Sequence, residues 1–94
     1  MVKIDLKKLL LKEAEKFTKA KVNSLVYALK DATPVDTGRA RDGWYTTGDS
    51  IRNDVEYVDD LNQGTSKQAP VRFIEKTVLS QSGVKSEGVI VRSI

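Results

Sequence analysis

The chain contains no cysteine and no histidine among its 94 residues. A disulfide framework, a zinc site built from Cys and His, and a Cys–His or Ser–His nucleophilic pair are therefore excluded. No segment approaches the roughly 18 continuous apolar residues of a membrane span, and the N-terminus lacks the charged stub and clean apolar run of a signal peptide. We therefore expect a protein made and used in the cytoplasm, with no membrane partner. Metal sites built from carboxylates alone stay possible on composition, but we expect no metal and no cofactor.

Aromatic residues make up only 6% of the chain, and there are only two prolines. The hydrophobic content of 39% and the charged content of 31% are ordinary for a globular protein, and the length suits one domain covering residues 1–94. The net charge of +3 is unevenly distributed, because residues 1–31 carry eight lysines against four acidic residues. The remaining 63 residues carry eight basic and nine acidic residues, so the positive excess lies in the N-terminal segment.

Residues 3–31 have the three- and four-residue apolar spacing of one long amphipathic helix. The stripe consists of Leu6, Leu10, Ala14, Phe17, Leu25, Ala28 and Ala32. No Gly or Pro interrupts it, and Pro34 ends it because the residue before a proline disfavours helical dihedrals. At ~1.5 Å per residue the rod would be roughly 40 Å long, longer than a small sheet can cover. Part of the stripe, at Leu6, Leu10 and Phe17, is therefore predicted to contact another subunit.

A turn and a β-hairpin are predicted to follow this helix. In the turn, Pro34 restricts its own φ, Asp36 can hydrogen-bond the backbone two residues on, and Gly38 tolerates a positive φ. Residues 40–47 and 51–58 then alternate as two strands, and the Thr-Gly-Asp-Ser tetrapeptide between them is a plausible hairpin turn.

The C-terminal third predicts a loop, a second helix and a last strand. The polar segment 59–69 reads as the loop, with one helical turn at its start. Pro70 suits the first position of a helix that runs to about Ser80, and residues 88–94 are rich in the β-branched residues that strands favour. The predicted fold class is α+β, with the elements in the order α-β-β-α-β. Residues 1–32 form the long helix, and residues 33–94 form a small three-stranded antiparallel sheet with the second helix. Both helices pack on the sheet.

Several residue clusters resemble chemical sites but have simpler explanations. Asp59 and Asp60, with Glu56 nearby, could hold a cation, yet no calcium-loop spacing is present and a solvated acidic turn explains them. The Gly-Thr-Ser-Lys segment 64–67 lacks the spacing of a phosphate-binding loop. Asp36 and Asp42 could form a carboxylate pair for acid–base chemistry, but a turn residue and an exposed strand residue explain them. Trp44 and Tyr45 could form a ligand site, but a half-buried strand pair explains them better. None forms a recognisable catalytic set, so we expect a protein that is not an enzyme.

Two segments carry a resemblance to a known family. The first is Thr33-Pro34-Val35-Asp36-Thr37-Gly38-Arg39, followed by Arg41 and by Gly43-Trp44. The second is Tyr57, then residues 61–70, Leu-Asn-Gln-Gly-Thr-Ser-Lys-Gln-Ala-Pro, then Phe73-Ile74-Glu75. In this order, after an N-terminal helix, they resemble the tail-completion or head–tail joining proteins of tailed bacteriophages. The chain departs from the family pattern at Ala40, where a larger apolar residue is usual, and at Gly43, where Ser is common, and it is short for the family.

The resemblance implies a mixed α/β fold and a virion component without catalysis. It also implies a homo-oligomeric ring in the neck, between the head-side connector and the tail terminator or tube, with DNA contacted only as it passes through the channel. The turn residues Pro34, Asp36, Thr37, Gly38 and Arg39 would then shape the exit from the long helix. Asn62, Gly64, Thr65, Gln68 and Pro70 would reach a neighbouring subunit.

Two other functions stay open at this point. A tail terminator or another minor tail protein would have the same general character. A small DNA-binding or regulatory module would instead use the lysines of the first helix to contact phosphates, although three acidic residues interrupt that lysine run and no aromatic residues interleave with it.

Overall fold

The computed structural model describes residues 1–11, 18–33, 38–64, 72–81, 84–86 and 88–93, except for the side chains of Leu10 and Leu11. The chain begins with strand β1, Val2–Asp5, a single 3-10 turn, Leu6–Lys8, and strand β2, Leu9–Leu11. The elements that follow are helix α1, Lys19–Ala32, helix α2, Arg39–Asp42, strand β3, Trp44–Thr47, strand β4, Ser50–Asn53, helix α3, Val58–Asn62, helix α4, Phe73–Ser80, strand β5, Val84–Ser86, and strand β6, Val91–Ser93.

The prediction of one long N-terminal helix is wrong over its first part. Residues 2–5 form a strand at the centre of the main sheet, and helix α1 begins only at Lys19. The sequence Val-Lys-Ile-Asp alternates apolar and charged residues, which also suits a strand, and Val2 and Ile4 are fully buried. The predicted rod of roughly 40 Å therefore does not exist, and the described residues contain no apolar helix end that overhangs the sheet and needs another subunit.

The main sheet has four antiparallel strands in the order β3-β4-β1-β6. Strand β1 pairs with β4 on one side, where Ile4 lies opposite Ile51, and with β6 on the other, where Ile4 lies opposite Val91. Strands β2 and β5 form a separate two-stranded antiparallel sheet. The α+β class is therefore confirmed, but strands come first in the chain and the main sheet has four strands instead of three.

Helix α1 begins and ends at threonines. The side chain of Thr18 accepts a hydrogen bond from the backbone N–H of Lys21 at 3.2 Å, as an N-cap residue does. Leu25 and Leu29 are buried one turn apart, so this half of the predicted apolar stripe does face the core.

Among the helices that the structure describes, none has the length and hydropathy of a membrane-spanning segment.

The predicted hairpin is present but shorter than expected. Residues 39–42 form helix α2 instead of the start of a strand, and β4 ends at Asn53. The turn between β3 and β4 falls where it was predicted, with Gly48 at a φ of 54°. The helical turn expected at the start of the polar loop is α3, and the second predicted helix is α4, which begins at Phe73.

One hydrophobic core joins the main sheet to the helices. Its buried residues are Val2, Ile4, Leu6, Leu9, Leu25, Leu29, Ala40, Trp44, Ile51, Val58, Phe73, Ile74, Val78, Val84 and Ile90. Members of this set come from both ends of the chain, so the two termini fold together into a single domain. Asn53, Asn62 and Thr33 are the polar residues buried most completely beside it, and each must therefore satisfy its hydrogen bonds within the chain.

Candidate functional site

Thr33 ends helix α1 and begins the first motif segment. Its side chain is buried, and its hydroxyl donates a hydrogen bond to the carbonyl oxygen of Leu29 at 2.6 Å. The hydroxyl oxygen of Thr33 in turn accepts a hydrogen bond from Nε1–H of Trp44 at 2.8 Å. Trp44 is itself buried in strand β3. The hydrogen bond between Thr33 and Trp44 therefore holds the C-terminal end of helix α1 against the main sheet.

Gly43 and Asn53 hold the other end of that segment. The amide of Asn53 donates a hydrogen bond to the carbonyl oxygen of Ala40 in α2 at 2.7 Å, and its oxygen accepts one from the N–H of Val55 at 3.0 Å. A Cβ at Gly43 would lie 2.8 Å from Oδ1 of Asn53 and 2.9 Å from Cγ2 of Val55. Glycine at this position therefore permits the close approach of Asn53 and Val55, which a Cβ would force to shift.

Asn62 organises the second motif segment. It is 1% exposed, and its Oδ1 accepts a hydrogen bond from the backbone N–H of Ile74 at 2.9 Å, while its Nδ2 donates to Glu75 at 2.6 Å. Its carbonyl oxygen accepts a third bond, from the N–H of Arg72 at 2.7 Å. Arg72 precedes α4 with a φ of 61° and offers no side-chain cap. Asn62 thus caps a helix that begins eleven residues further along the chain.

The ends of the two motif segments meet at a shallow cleft between α1 and α4. Its lining residues are Ala32, Phe73, Lys76, Thr77 and Ser80, around a volume of about 320 Å³. Ala32 directly precedes Thr33, where the first segment begins, and Phe73 belongs to the last part of the second segment, Phe73-Ile74-Glu75. The fold therefore brings together one end of each of two segments that are far apart in sequence.

Arg39, the last residue of the predicted turn motif, pairs with Glu56. Its guanidinium donates two hydrogen bonds to the carboxylate, at 3.2 and 3.1 Å, and lies 5.6 Å from the ring centre of Tyr57. The pKa of Glu56 is lowered, first by a hydrogen bond from its own backbone N–H and then by Arg39. The same pair raises the pKa of Arg39. Both side chains are largely exposed, so the pair orients α2 more than it stabilises the fold.

Replacing Arg39 tests that ion pair. In Arg39→Gln, the pKa of Glu56 should rise but stay below its usual value, because the hydrogen bond from its own backbone remains. A lowered carboxyl pKa contributes stability at neutral pH that is lost as the pH falls through the folded-state pKa. The small stability difference from the wild type should therefore vanish in acid. A carboxyl-carbon NMR titration measures the shift, with Arg41→Gln as the control. An unchanged Glu56 midpoint would show that the pair does not form in solution.

The described structure covers only some of the residues predicted from the sequence. Leu6 lies in the core, where 9% of its surface is exposed, and Asn62 is bonded inside the chain, so neither side chain is presented at the surface. Gly38 has the expected positive φ, of 78°, and Gly64 also has one, of 101°. Outside the described residues or side chains lie Pro34, Asp36, Thr37, Leu10, Phe17, Thr65, Gln68 and Pro70.

The sequence interpretation missed the buried polar residues that shape this site. Thr33 and Asn53 received no role, and Asn62 was expected to reach a partner. The one signal in the sequence is general: Asn and Thr are mostly exposed, so a buried Asn or Thr usually has a structural role. Asp59, one of the acidic residues considered for a cation site, accepts a hydrogen bond from the hydroxyl of Ser93 at 2.5 Å. The described part of the chain contains no group of three or more Asp, Glu, His or Cys side chains arranged to hold a metal.

No protein-family model matches this chain, and no curated protein or solved structure matches it. The resemblance therefore rests on the two sequence segments, and the site's geometry provides the physical basis for a functional proposal.

Proposed function

We propose that this protein is a structural component of a tailed bacteriophage that completes the tail and joins it to the head. It would act as a homo-oligomeric ring in the neck, between the head-side connector and the tail terminator or tube, with DNA passing through the channel. The observation that carries the proposal is that Ala32, beside the first motif segment, and Phe73, within the second, line one cleft. Buried hydrogen bonds of Thr33 and Asn62 hold the backbone next to these two residues.

The physical argument begins with what such anchoring achieves. Binding loops recognise partners well when a rigid scaffold positions their ends. Here the ends are held by Thr33 with Trp44 and by Asn62 with Glu75, all through side chains that are buried or partly buried. The parts of these segments next to the anchored residues would therefore be presented in a defined place, while other residues of the segments, such as Trp44 and Phe73, belong to the core.

A ring requires that each subunit offer one surface and receive a different one. The cleft supplies a concave, mostly apolar surface on one side of the domain, with Lys76 at its border. In the proposed ring, a segment of the neighbouring subunit or of a neck protein would enter this cleft. A charge reversal at its border should then weaken assembly without unfolding the chain.

The test is complementation of a phage that lacks this gene. Heads and tails should accumulate unjoined, and the wild-type protein supplied in trans should restore joined particles. Lys76→Glu should complement poorly, whereas Lys85→Glu, an equal charge change at an exposed residue of β5, should complement well. Circular dichroism checks that both variants fold, and sedimentation of the purified protein reports the oligomer.

Other outcomes identify the alternatives. Tails of irregular length in the gene-less phage would indicate a tail terminator. Normal joined particles without the protein would contradict the proposal and leave a regulatory or DNA-binding module, the remaining alternative, as the better explanation.

A further inference from the structure

One row of side chains crosses the outer face of the main sheet. The strand register places Tyr45 beside Arg52, Arg52 beside Lys3, and Lys3 beside Arg92, so the row runs through all four strands. The neighbours Trp44, Val2 and Ile4 on the opposite face are buried, so these four side chains face away from the core. At about 4.8 Å between strands the row is roughly 14 Å long.

Three adjacent cations are an unfavourable arrangement for a sheet by itself. Like charges directly opposite each other on neighbouring strands destabilise the pairing, and Lys3 has a cation on each side. Arg52 is compensated by Asp54 at 3.2 Å. Among the residues that the structure describes, Lys3 and Arg92 form no ion pair. Asp5 shares this face as a carboxylate, and it accepts a hydrogen bond from the backbone N–H of Lys7. Among the described residues, the row therefore has two cations, Lys3 and Arg92, that are not held in an ion pair.

Tyr45 adds an aromatic surface to the end of the row. Its ring is 40% exposed, and its hydroxyl donates a hydrogen bond to Asp54 at 2.5 Å. This bond raises the pKa of the Tyr45 phenol and lowers the pKa of the Asp54 carboxyl. Because Asp54 also contacts Arg52, the ring and the nearest guanidinium are held in a fixed relation.

We propose that this outer face binds the backbone of a nucleic acid, with Lys3, Arg52 and Arg92 contacting phosphates and the Tyr45 ring stacking on an unpaired base. A flat sheet that carries cations and an exposed aromatic ring is a platform on which single-stranded nucleic acid binds. An acidic protein segment would satisfy the cations but has no base to stack on Tyr45, so the aromatic end of the row favours nucleic acid. The site is independent of the proposed role in the phage neck.

The experiment measures binding of the whole chain to a labelled 20-nucleotide single-stranded DNA at 50 and 200 mM salt. Three phosphate contacts on a single strand give a logarithmic salt slope of about −2, or about a 20-fold loss of affinity over this range. The double variant Lys3→Gln/Arg92→Gln should bind more weakly and lose only about 3-fold over the same range. The control Arg41→Gln/Lys85→Gln removes one Arg and one Lys elsewhere and should keep the wild-type slope.

A second pair of variants tests the aromatic end. Tyr45→Ser should weaken binding to the single strand by at least about 5-fold, since it removes a stacking surface, while Tyr45→Phe keeps the ring and should bind nearly as the wild type does. A duplex of the same sequence should not show this difference. The proposal is overturned by absent binding, by an equal loss in the control, or by poly-glutamate binding as tightly as DNA with no effect of Tyr45→Ser. The last result would assign the row to an acidic protein partner.

Discussion

Trp44→Ala should lower the free energy of unfolding by about 3–5 kcal/mol, the usual cost of truncating a buried aromatic side chain to alanine. Trp44 is only 3% exposed, and it lies where helix α1, strand β3 and the first motif segment meet. The substitution would leave a cavity in the core and would also remove the hydrogen bond to Thr33. Since a small domain has only about 5–15 kcal/mol of stability, this loss is a large fraction of the total and should raise the population of unfolded chains. Urea denaturation followed by circular dichroism measures the change.

Tyr27→Ala is the matched control for that prediction. Tyr27 is also aromatic, but 69% of its surface is exposed, and Nζ of Lys30 lies 5.9 Å from the centre of its ring. Its removal should cost less than about 1 kcal/mol. Equal losses in the two variants would mean that Trp44 is not packed as described.

The hydrogen bond itself can be isolated from the packing. Thr33→Val keeps the shape of the side chain but leaves Nε1 of Trp44 without its acceptor, at a cost of about 1–3 kcal/mol. Thr33→Ser keeps the hydroxyl and should be milder. A double-mutant cycle with Trp44→Phe then gives the coupling between the two side chains.

Asn62→Ala should lower the free energy of unfolding by about 2–4 kcal/mol, the sum of a lost helix cap and a buried polar group left unpaired. The N–H of Ile74 would lose its acceptor, and the carboxylate of Glu75 would lose a donor at 2.6 Å. The helix end nearest the cleft should open more often. Hydrogen exchange of the Ile74 amide should therefore accelerate more than the global loss of stability requires.

Asn23→Ala provides the comparison, because Asn23 is exposed on helix α1. Alanine is the best helix former, so this change should be neutral or slightly stabilising. Should Asn62→Ala behave like Asn23→Ala, the second motif segment would not be anchored by this side chain, and the proposed function would lose its structural support.

The charged row on the sheet shows why sequence analysis did not find every candidate surface. The apolar periodicity places Lys3 in the predicted long helix, and the sequence suggests Tyr45 only as a neighbour of Trp44, in a possible ligand site or a half-buried strand pair. Arg52 and Arg92 were unremarkable single charges. Only the register of the four strands places these residues side by side, and register depends on contacts between segments that lie up to ninety positions apart in the chain.

The sequence by itself determined the features that depend on neighbouring residues. The hairpin turn around Gly48, the positive φ at Gly38, the C-terminal part of helix α1 and most of helix α4 follow from local backbone preferences and short-range periodicity. The absence of Cys and His likewise excluded whole classes of site without any structure.

Only the tertiary structure determined the secondary structure of residues 2–5 and the burial of three polar side chains. Residues 2–5 fit a strand and a helix almost equally well, and β4 and β6 settle the choice by offering backbone partners on both sides. In the sequence, nothing distinguishes three buried polar residues from ordinary loop residues: Thr33, Asn53 and Asn62. Their burial depends on partners that are distant in the chain. In both cases the stabilising groups come from remote parts of the chain. A local sequence pattern does not show which remote groups will contact these residues.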